Sequence, residues 1–287
     1  MKLAVFKADG EQHLGAVYGH QITSLTKLNA NQFPADMKTF IEHGDELREK
    51  AEQLIGEHNN EAAVFNVNEV EFMPPVSQPE KIICVGLNYL DHCKETGMEP
   101  PASPVIFSKY PNALTGHEDA VERPINSNEV DFEAELAIVM GKEAKRVTEE
   151  EAETCVFGYT ILNDISARDL QFKDGQWSRG KTADTFAPTG PVVVTQDEVG
   201  NPHQLKISLD LNGERMQDSN TSNLIFKVPQ IISFLSQSMT LKPGDLIATG
   251  TPPGVGMGRD PKVWLKDGDR MDVTIEKIGT LSNFVKG

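Results

Sequence analysis

Positive charge is scarce in this chain. Against 43 Asp and Glu stand 27 Lys and Arg, a formal net charge of −16. Such a chain lacks the basic footprint that nucleic acid requires. Anionic membrane surfaces repel it as well. No nucleic acid and no membrane is therefore expected as a partner. Cysteine is scarce too, with only Cys84, Cys93 and Cys155. An odd count without a Cys-x-x-Cys spacing offers no disulfide framework and no zinc site, and it fits a reducing compartment. Long apolar runs are missing. No stretch reaches the length of a membrane span. The run Leu3-Ala4-Val5-Phe6 is too short for a signal peptide. A cytoplasmic location is expected. Internal repeats and low-complexity segments are absent, which excludes solenoids and arrays.

What is present reads as a soluble globular protein with ordinary composition. At 287 residues, one large domain or a large and a small one is expected. Residues 1–73 read as a small, separate N-terminal α+β domain. Leu3–Phe6 and His13–Tyr18 flank Ala8-Asp9-Gly10-Glu11 as a hairpin, and Ile22–Leu25 offers a further strand. Met37, Phe40, Ile41, Leu47, Ala51 and Leu54 recur at helical spacing, interrupted at Gly44. Met73-Pro74-Pro75-Val76-Ser77-Gln78-Pro79 reads as a linker, because its prolines cannot join a ladder or a helix interior. The second domain, 74–287, is dominated by strands. Residues 110–130 read as loop, 165–171 as a short helix and Pro229–Leu241 as an apolar helix. Asn212-Gly213 between two alternating runs marks a type I′ hairpin. A closed or folded mixed β architecture is expected, in the α+β class and rich in strand.

The stretch with most chemical content is Asp131-Phe132-Glu133-Ala134-Glu135-Leu136. Its alternation is that of a strand, with Asp131, Glu133 and Glu135 on one side. Glu133 and Glu135 then stand about 7 Å apart at the backbone. A solvated strand face gives the same pattern. Against that reading, the same side continues as Ala137 and Val139. A second apolar strand also ends in Asn163-Asp164. Three carboxylates converging in a partly buried place repel one another unless a cation is present. An all-oxygen set suits Mg²⁺ or Mn²⁺. His92 and Glu95 share a helix face at i and i+3, so the carboxylate can orient the imidazole as a base for water. Arg168 and Gln171 share a face beside Asp164, and Lys181 follows a glycine. Solvent exposure is the plain alternative for each. The loop Gly250-Thr251-Pro252-Pro253-Gly254 lacks the Gly-Lys-Ser/Thr ending of a phosphate-binding loop, and its prolines remove backbone donors.

Taken together, Gly86-x-Asn88-Tyr89-x-x-His92-x-x-Glu95, Phe132-Glu133-x-Glu135-Leu136, Asn163-Asp164-x-Ser166-Ala167-Arg168-Asp169 and Lys181 resemble the fumarylacetoacetate hydrolase family. Asn212-Gly213, Ile225-Phe226 and Thr249-Gly250-Thr251-Pro252 extend the match, which covers residues 80–280. The resemblance implies a mixed β-roll catalytic domain, a homodimer and one divalent metal per site. It matches Glu133, Glu135 and Asp164 to metal ligands and Lys181 to an active-site lysine. His92 and Glu95 match the dyad of the acylpyruvate hydrolase and oxaloacetate decarboxylase branch. Arg168, Gln171 and Thr251 match substrate-binding positions.

The function expected is hydrolysis of a C–C bond in a small β-diketo 2-oxo acid, with Mg²⁺ or Mn²⁺ stabilising an enolate. Decarboxylation of an oxaloacetate-type acid and keto–enol isomerisation are alternatives on the same groups. A non-catalytic, metal-stabilised binding protein is a remoter one, since it has no need of Lys181 or the His92–Glu95 pair. Specificity is expected to depend on the loops 96–104, 110–130 and 172–180.

Overall fold

The hairpin at the N-terminus forms as Lys2–Ala8 and Glu11–Tyr18, in register from Leu3↔Ala16 to Ala8↔Glu11. The structure, a computed structural model, describes residues 1–57, 60–96 and 99–287. Gln21–Ser24 and Val64–Asn66 continue this sheet outward. Met37–Glu42 and Gly44–Glu57 are the two helices on either side of the expected break. The proline-rich segment 73–79 has neither helix nor strand.

Hydrogen bonding does not stop at residue 73. Lys2–Ala8 pairs antiparallel with Ala187–Thr195, Leu3 opposite Val193. One twelve-stranded sheet therefore runs from Val64–Asn66 to Val105–Lys109. Its far half is ordered Ala187–Thr195, Val156–Asn163, Ala134–Met140, Leu246–Ala248, Ile82–Gly86 and Val105–Lys109. A second, five-stranded sheet comprises Glu214–Asn220, Lys206–Leu211, Arg270–Ile275, Gly279–Lys286 and Ala120–Glu122. One hydrophobic cluster links Leu3 and Phe40 to Ile138, Tyr159, Val273 and Leu281. Boundary 73/74 is thus a change in sequence character, while the sheet and the core cross it. The architecture is mixed α+β and strand-rich, as expected.

Pairing direction brings the motifs together. Leu246–Ala248 and Ile82–Gly86 are parallel, so the segments leaving them, 249–256 and 87–95, emerge on one side. Ala134–Met140 runs antiparallel to Leu246–Ala248, which puts its N-terminal end there. Ala134 faces Asn163, so Asp164 arrives at the same edge.

Several expected elements differ in detail. The alternating strand is broken: Val130–Asp131 pairs with Ser166–Ala167, and a new strand begins only at Ala134. Side chains replace the ladder at the break. Asn163 Oδ1 accepts from Glu133 N at 3.0 Å, and Gln217 Oε1 accepts from Ala134 N at 2.9 Å. The expected helix over 165–171 shrinks to Arg168–Gln171 for the same reason, since Ser166 and Ala167 are paired. The loop 110–130 contains Leu114–Thr115, Ala120–Glu122 and Val130–Asp131, strands too short for periodicity to show. The apolar helix is Val228–Ser236 rather than 229–241, because Leu241 is drawn into a backbone bridge with Ala144. The Asn212-Gly213 turn forms as expected, both residues at positive φ.

Candidate active site

Glu133, Glu135 and Asp164 converge. Each offers a carboxylate oxygen, these lie within 4.8 Å of one another, and all three residues are buried. The solvated-face alternative fails, since every residue of Ala134–Met140 is buried. Glu133 and Asp164 are joined through their backbones, Asp164 N donating to Glu133 O at 2.8 Å. Glu135 Oε2 accepts from Gly250 N at 2.7 Å. Gly250 has φ +105°, and a Cβ there would come 2.8 Å from Asn88 Cβ. Only glycine lets that N–H reach the carboxylate.

Three buried cations surround this triad. Lys181 Nζ bridges Glu133 Oε2 at 2.7 Å and Asp164 Oδ2 at 2.9 Å. Arg168 donates to Glu133 Oε1 at 2.7 Å, to Asp131 Oδ2 at 2.9 Å and to Gln171 Oε1 at 3.0 Å. Lys109 Nζ lies 2.7 Å from Asp164 Oδ1, yet its hydrogens go to the carbonyls of Ile165, Lys181 and Phe186 at 3.0, 2.7 and 2.7 Å. An ammonium has three donors. Asp164 Oδ1 therefore receives charge but no hydrogen from any described residue.

The titration of the groups follows. Burial raises Glu133, but Lys181 and Arg168 outweigh it and hold the carboxyl far below the usual range. Burial raises Glu135 well above that range, reinforced by Asp164 and Glu133 and opposed by Gly250 N–H and Lys181. Burial lowers Lys181, but Asp164 and Glu133 overcome it and the net direction is up. For Lys109 burial prevails and the direction is down. A carboxylate driven towards protonation is what a missing positive charge leaves behind. The three-carboxylate, all-oxygen set fits a hard divalent cation.

His92 and Glu95 lie on the helix Leu90–Thr96, with Nδ1 and Oε2 3.0 Å apart. Glu95 Oε1 accepts from Gly254 N at 2.9 Å. Burial raises Glu95, but its bonds to His92 and Gly254 and the charges of His92 and Arg259 bring it below its ordinary value. The dyad is thereby tied to the 249–256 loop. Thr251 Oγ1, in that loop, accepts from Gln217 Nε2 at 2.8 Å. His92, Glu133, Glu135, Arg168, Gln171, Lys181 and Thr251 all line one cleft of about 60 Å³. Val85, Gly86, Leu87, Phe107, Phe172, Trp177 and Met257 complete its walls. Residues 97–98 of the expected specificity loop lie outside the described residues.

The roles of four contributors escape a reading of the sequence. Lys109 ends an apolar run, where a lysine reads as solvated. Asp131 reads as strand face, yet its carboxylate accepts from Phe132, Gly256 and Met257 N–H as well as Arg168. Gln217 connects the strand break to Thr251 and Pro252. Asn88 binds Phe226 N through Oδ1, and through Nδ2 it binds the carbonyls of Phe226 and Thr249. The Gly-x-Asn motif, Ile225-Phe226 and Thr249-Gly250-Thr251 are therefore one hydrogen-bonded knot. Only the spacing of motifs across the whole chain hints at it.

Comparison with known proteins agrees with this geometry. The family model described as fumarylacetoacetate (FAA) hydrolase C-terminal matches residues 81–286. The human protein named oxaloacetate tautomerase FAHD2A, mitochondrial, is 42% identical over 291 residues, 99% of this chain and 91% of its own. Among solved structures, fumarylacetoacetate hydrolase from Exiguobacterium antarcticum is 37% identical with a TM-score of 0.88, covering 100% and 99% of the two chains. Maleylpyruvate hydrolase from Sphingobium sp. SYK-6, in complex with manganese(II) and pyruvate, is 32% identical with a TM-score of 0.82 over the same shares. A match over most of the length, on a fold that assembles the acidic triad and its lysine, makes this chain an enzyme of the fumarylacetoacetate hydrolase family.

Proposed function

We propose that this enzyme interconverts the keto and enol forms of a small 2-oxo acid, an oxaloacetate-type four-carbon diacid. The size of the cleft is the observation behind this reading. At about 60 Å³ it is well below the roughly 300–1,000 Å³ of ordinary ligand pockets. Hydrolysis of a diketo acid, the reaction the sequence favours, needs a longer substrate and an attacking water in the same space. Tautomerisation needs only a short acid and a group that moves a proton. Relatives named oxaloacetate tautomerase, 41–43% identical over 99% of this chain, support the same reading.

Glu133, Glu135 and Asp164 would hold Mg²⁺ or Mn²⁺. When bound, such a cation supplies Lewis-acid stabilisation of negative charge on the substrate's oxygens. Lys181 adds a fixed positive charge beside them, and Arg168 holds Glu133 in its ionised form. His92, oriented by Glu95, removes the proton from the carbon next to the 2-oxo group. The same proton returns to the oxygen to complete the enol, and the reverse path regenerates the ketone. Residues 74–287 form the catalytic unit, and 1–73 extend its sheet.

Hydrolysis stays as the second reading because the His92–Glu95 pair can equally deprotonate water. The Sphingobium relative, named a maleylpyruvate hydrolase, bears on it too. Ultraviolet loss of the oxaloacetate enol and of a simple acylpyruvate, each with Mn²⁺ and after EDTA, separates the two. Metal-dependent acceleration of the oxaloacetate signal without release of CO₂ is expected. Cleavage of the acylpyruvate with oxaloacetate untouched would establish hydrolysis instead. Rates indifferent to exhaustive metal removal would overturn the site.

A further inference from the structure

We propose that Trp177 is a specificity-determining residue that sets the length of acid the cleft accepts. The inference rests on the cleft being a 2-oxo acid site. Its polar side holds Glu133, Glu135, Arg168 and Lys181, while Leu87, Phe107, Trp177 and Met257 line it elsewhere. Trp177 closes this apolar wall against the floor of the sheet. Its ring packs on Gly86, where a Cβ would stand 2.6 Å from Trp177 Cζ3. Phe107 meets the indole edge-on, with centroids 5.5 Å apart and planes at 66°. The Phe107 ring in turn lies 4.9 Å from Lys181 Nζ.

The indole is therefore wedged between Gly86 and Phe107, on the apolar side of the cleft away from the charged groups. Removing the indole would enlarge a cleft that now offers about 60 Å³. Any acid with a longer tail must take that space.

The residue is also placed to couple fit with chemistry. Trp177 immediately precedes the single turn Ser178–Lys181, and its carbonyl accepts from Gly180 N at 3.0 Å. The indole and the Lys181 ammonium are thus set by the same turn of backbone. On its other side the segment 172–176 is exposed. The wall is a half-buried side chain on a loop rather than a strand of the sheet. Shortening it leaves the triad and its hydrogen bonds untouched.

The test uses the Mn²⁺-loaded full-length protein and calorimetric binding of pyruvate, 2-oxobutyrate, 2-oxohexanoate and 2-oxooctanoate. Wild type should weaken about tenfold or more from 2-oxobutyrate to 2-oxohexanoate, the scale that a methylene's worth of room carries in an enzyme pocket. Trp177→Ala should level or invert that order, while Trp177→Phe preserves it. Equal affinity of wild type across the series would overturn the proposal. So would a Trp177→Ala protein that binds Mn²⁺ normally but loses every acid by the same factor, which marks a structural role. The chain has two tryptophans, so a Trp264→Phe protein reports Trp177 alone without altering the wall. Its fluorescence should change when 2-oxobutyrate binds, and an unmoved signal at saturation would place the indole away from the ligand and refute the idea. Should oxaloacetate prove inert while short acids still bind selectively, the reaction proposed above fails and the gate stands.

Discussion

Replacing Lys109 by methionine keeps the length of a fully buried side chain and removes its charge. In the native structure that charge sits 2.7 Å from Asp164 Oδ1, and its three hydrogens satisfy three carbonyls. Around the triad, Asp131, Glu133, Glu135 and Asp164 face Lys109, Arg168 and Lys181, four carboxyl groups against three cations. The substitution leaves four against two, and it takes the ammonium donor from the carbonyls of Ile165 and Lys181, while Phe186 O still accepts from Ile165 N at 3.1 Å. Removing one partner of a buried ion pair costs about 3–5 kcal/mol. A chain of this size loses about 2 °C in Tm per kcal/mol, so metal-free Lys109→Met should melt about 6–10 °C below wild type. Total stabilities of about 5–15 kcal/mol leave such a variant folded. Lys181, Gly250 and Arg168 still hold the three carboxylates in place. Mn²⁺ at a hundred times its Kd should therefore add about 2.7 kcal/mol in both proteins, a rise of about 5 °C. Thermal melts with and without Mn²⁺ read both numbers. An unchanged metal-free Tm would refute the energetic role of the buried lysine. A lowered Tm with no response to Mn²⁺ would show that Lys109 builds the ligand set instead of neutralising it.

Four further outcomes follow from the same geometry. His92→Ala should lower turnover by about 10²–10⁴-fold while Mn²⁺ affinity stays at the wild-type value; calorimetric loss of metal binding would defeat the proton-transfer role. Arg168→Lys keeps a cation but cannot serve Asp131, Glu133 and Gln171 together, so Mn²⁺ affinity should fall about 10–100-fold in the same titration. Because Glu135 is raised above its ordinary 4.5, the folded metal-free protein keeps a proton that the unfolded chain has released. Its Tm should fall as pH rises from about 4.5 towards that raised value, and Glu135→Gln should flatten this stretch of the curve; a slope unchanged in the variant assigns the effect elsewhere. Glu133 has the opposite sign, since its folded value is depressed: its stabilisation is present above about 4.5 and is lost as pH falls further, so melts of Glu133→Gln should lack the acid-side decline.

The triad was legible because its two halves obey strand rules. Alternation put Glu133 and Glu135 on one side, and an apolar run ending in Asn163-Asp164 supplied the third carboxylate. Distance in sequence was no obstacle, since antiparallel pairing of Ala134 with Asn163 closes it. The hairpin at Asn212-Gly213 was legible for an equally local reason, two residues that tolerate positive φ. What escaped was non-local or contrary to type. Lys109 obeys the pattern of a strand end and then turns its ammonium inward. Asp131 leaves the strand face because Gly256 and Met257, 125 or more residues away, offer it N–H groups. Gln217 satisfies the break at Ala134 from the other sheet. No window of sequence contains both halves of such a bond. The pairing of Leu3 with Val193 is of the same kind, and a proline-rich segment between them pointed towards separation.

That last pairing has a consequence for handling the protein. Lys2–Ala8 covers the Val193–Val194 end of Ala187–Thr195, while Leu114–Thr115 covers its start. Cutting the chain at the proline-rich segment would strip Val193 and Val194 of their partners Leu3 and Lys2. It would present to solvent a row of open amide and carbonyl groups on a β-branched apolar strand. Such an edge is a template for joining another chain. A fragment starting near residue 74 should therefore self-associate even if its catalytic groups assemble. Residues 1–73 then serve as a built-in guard against sheet growth, a task independent of any reaction at the triad.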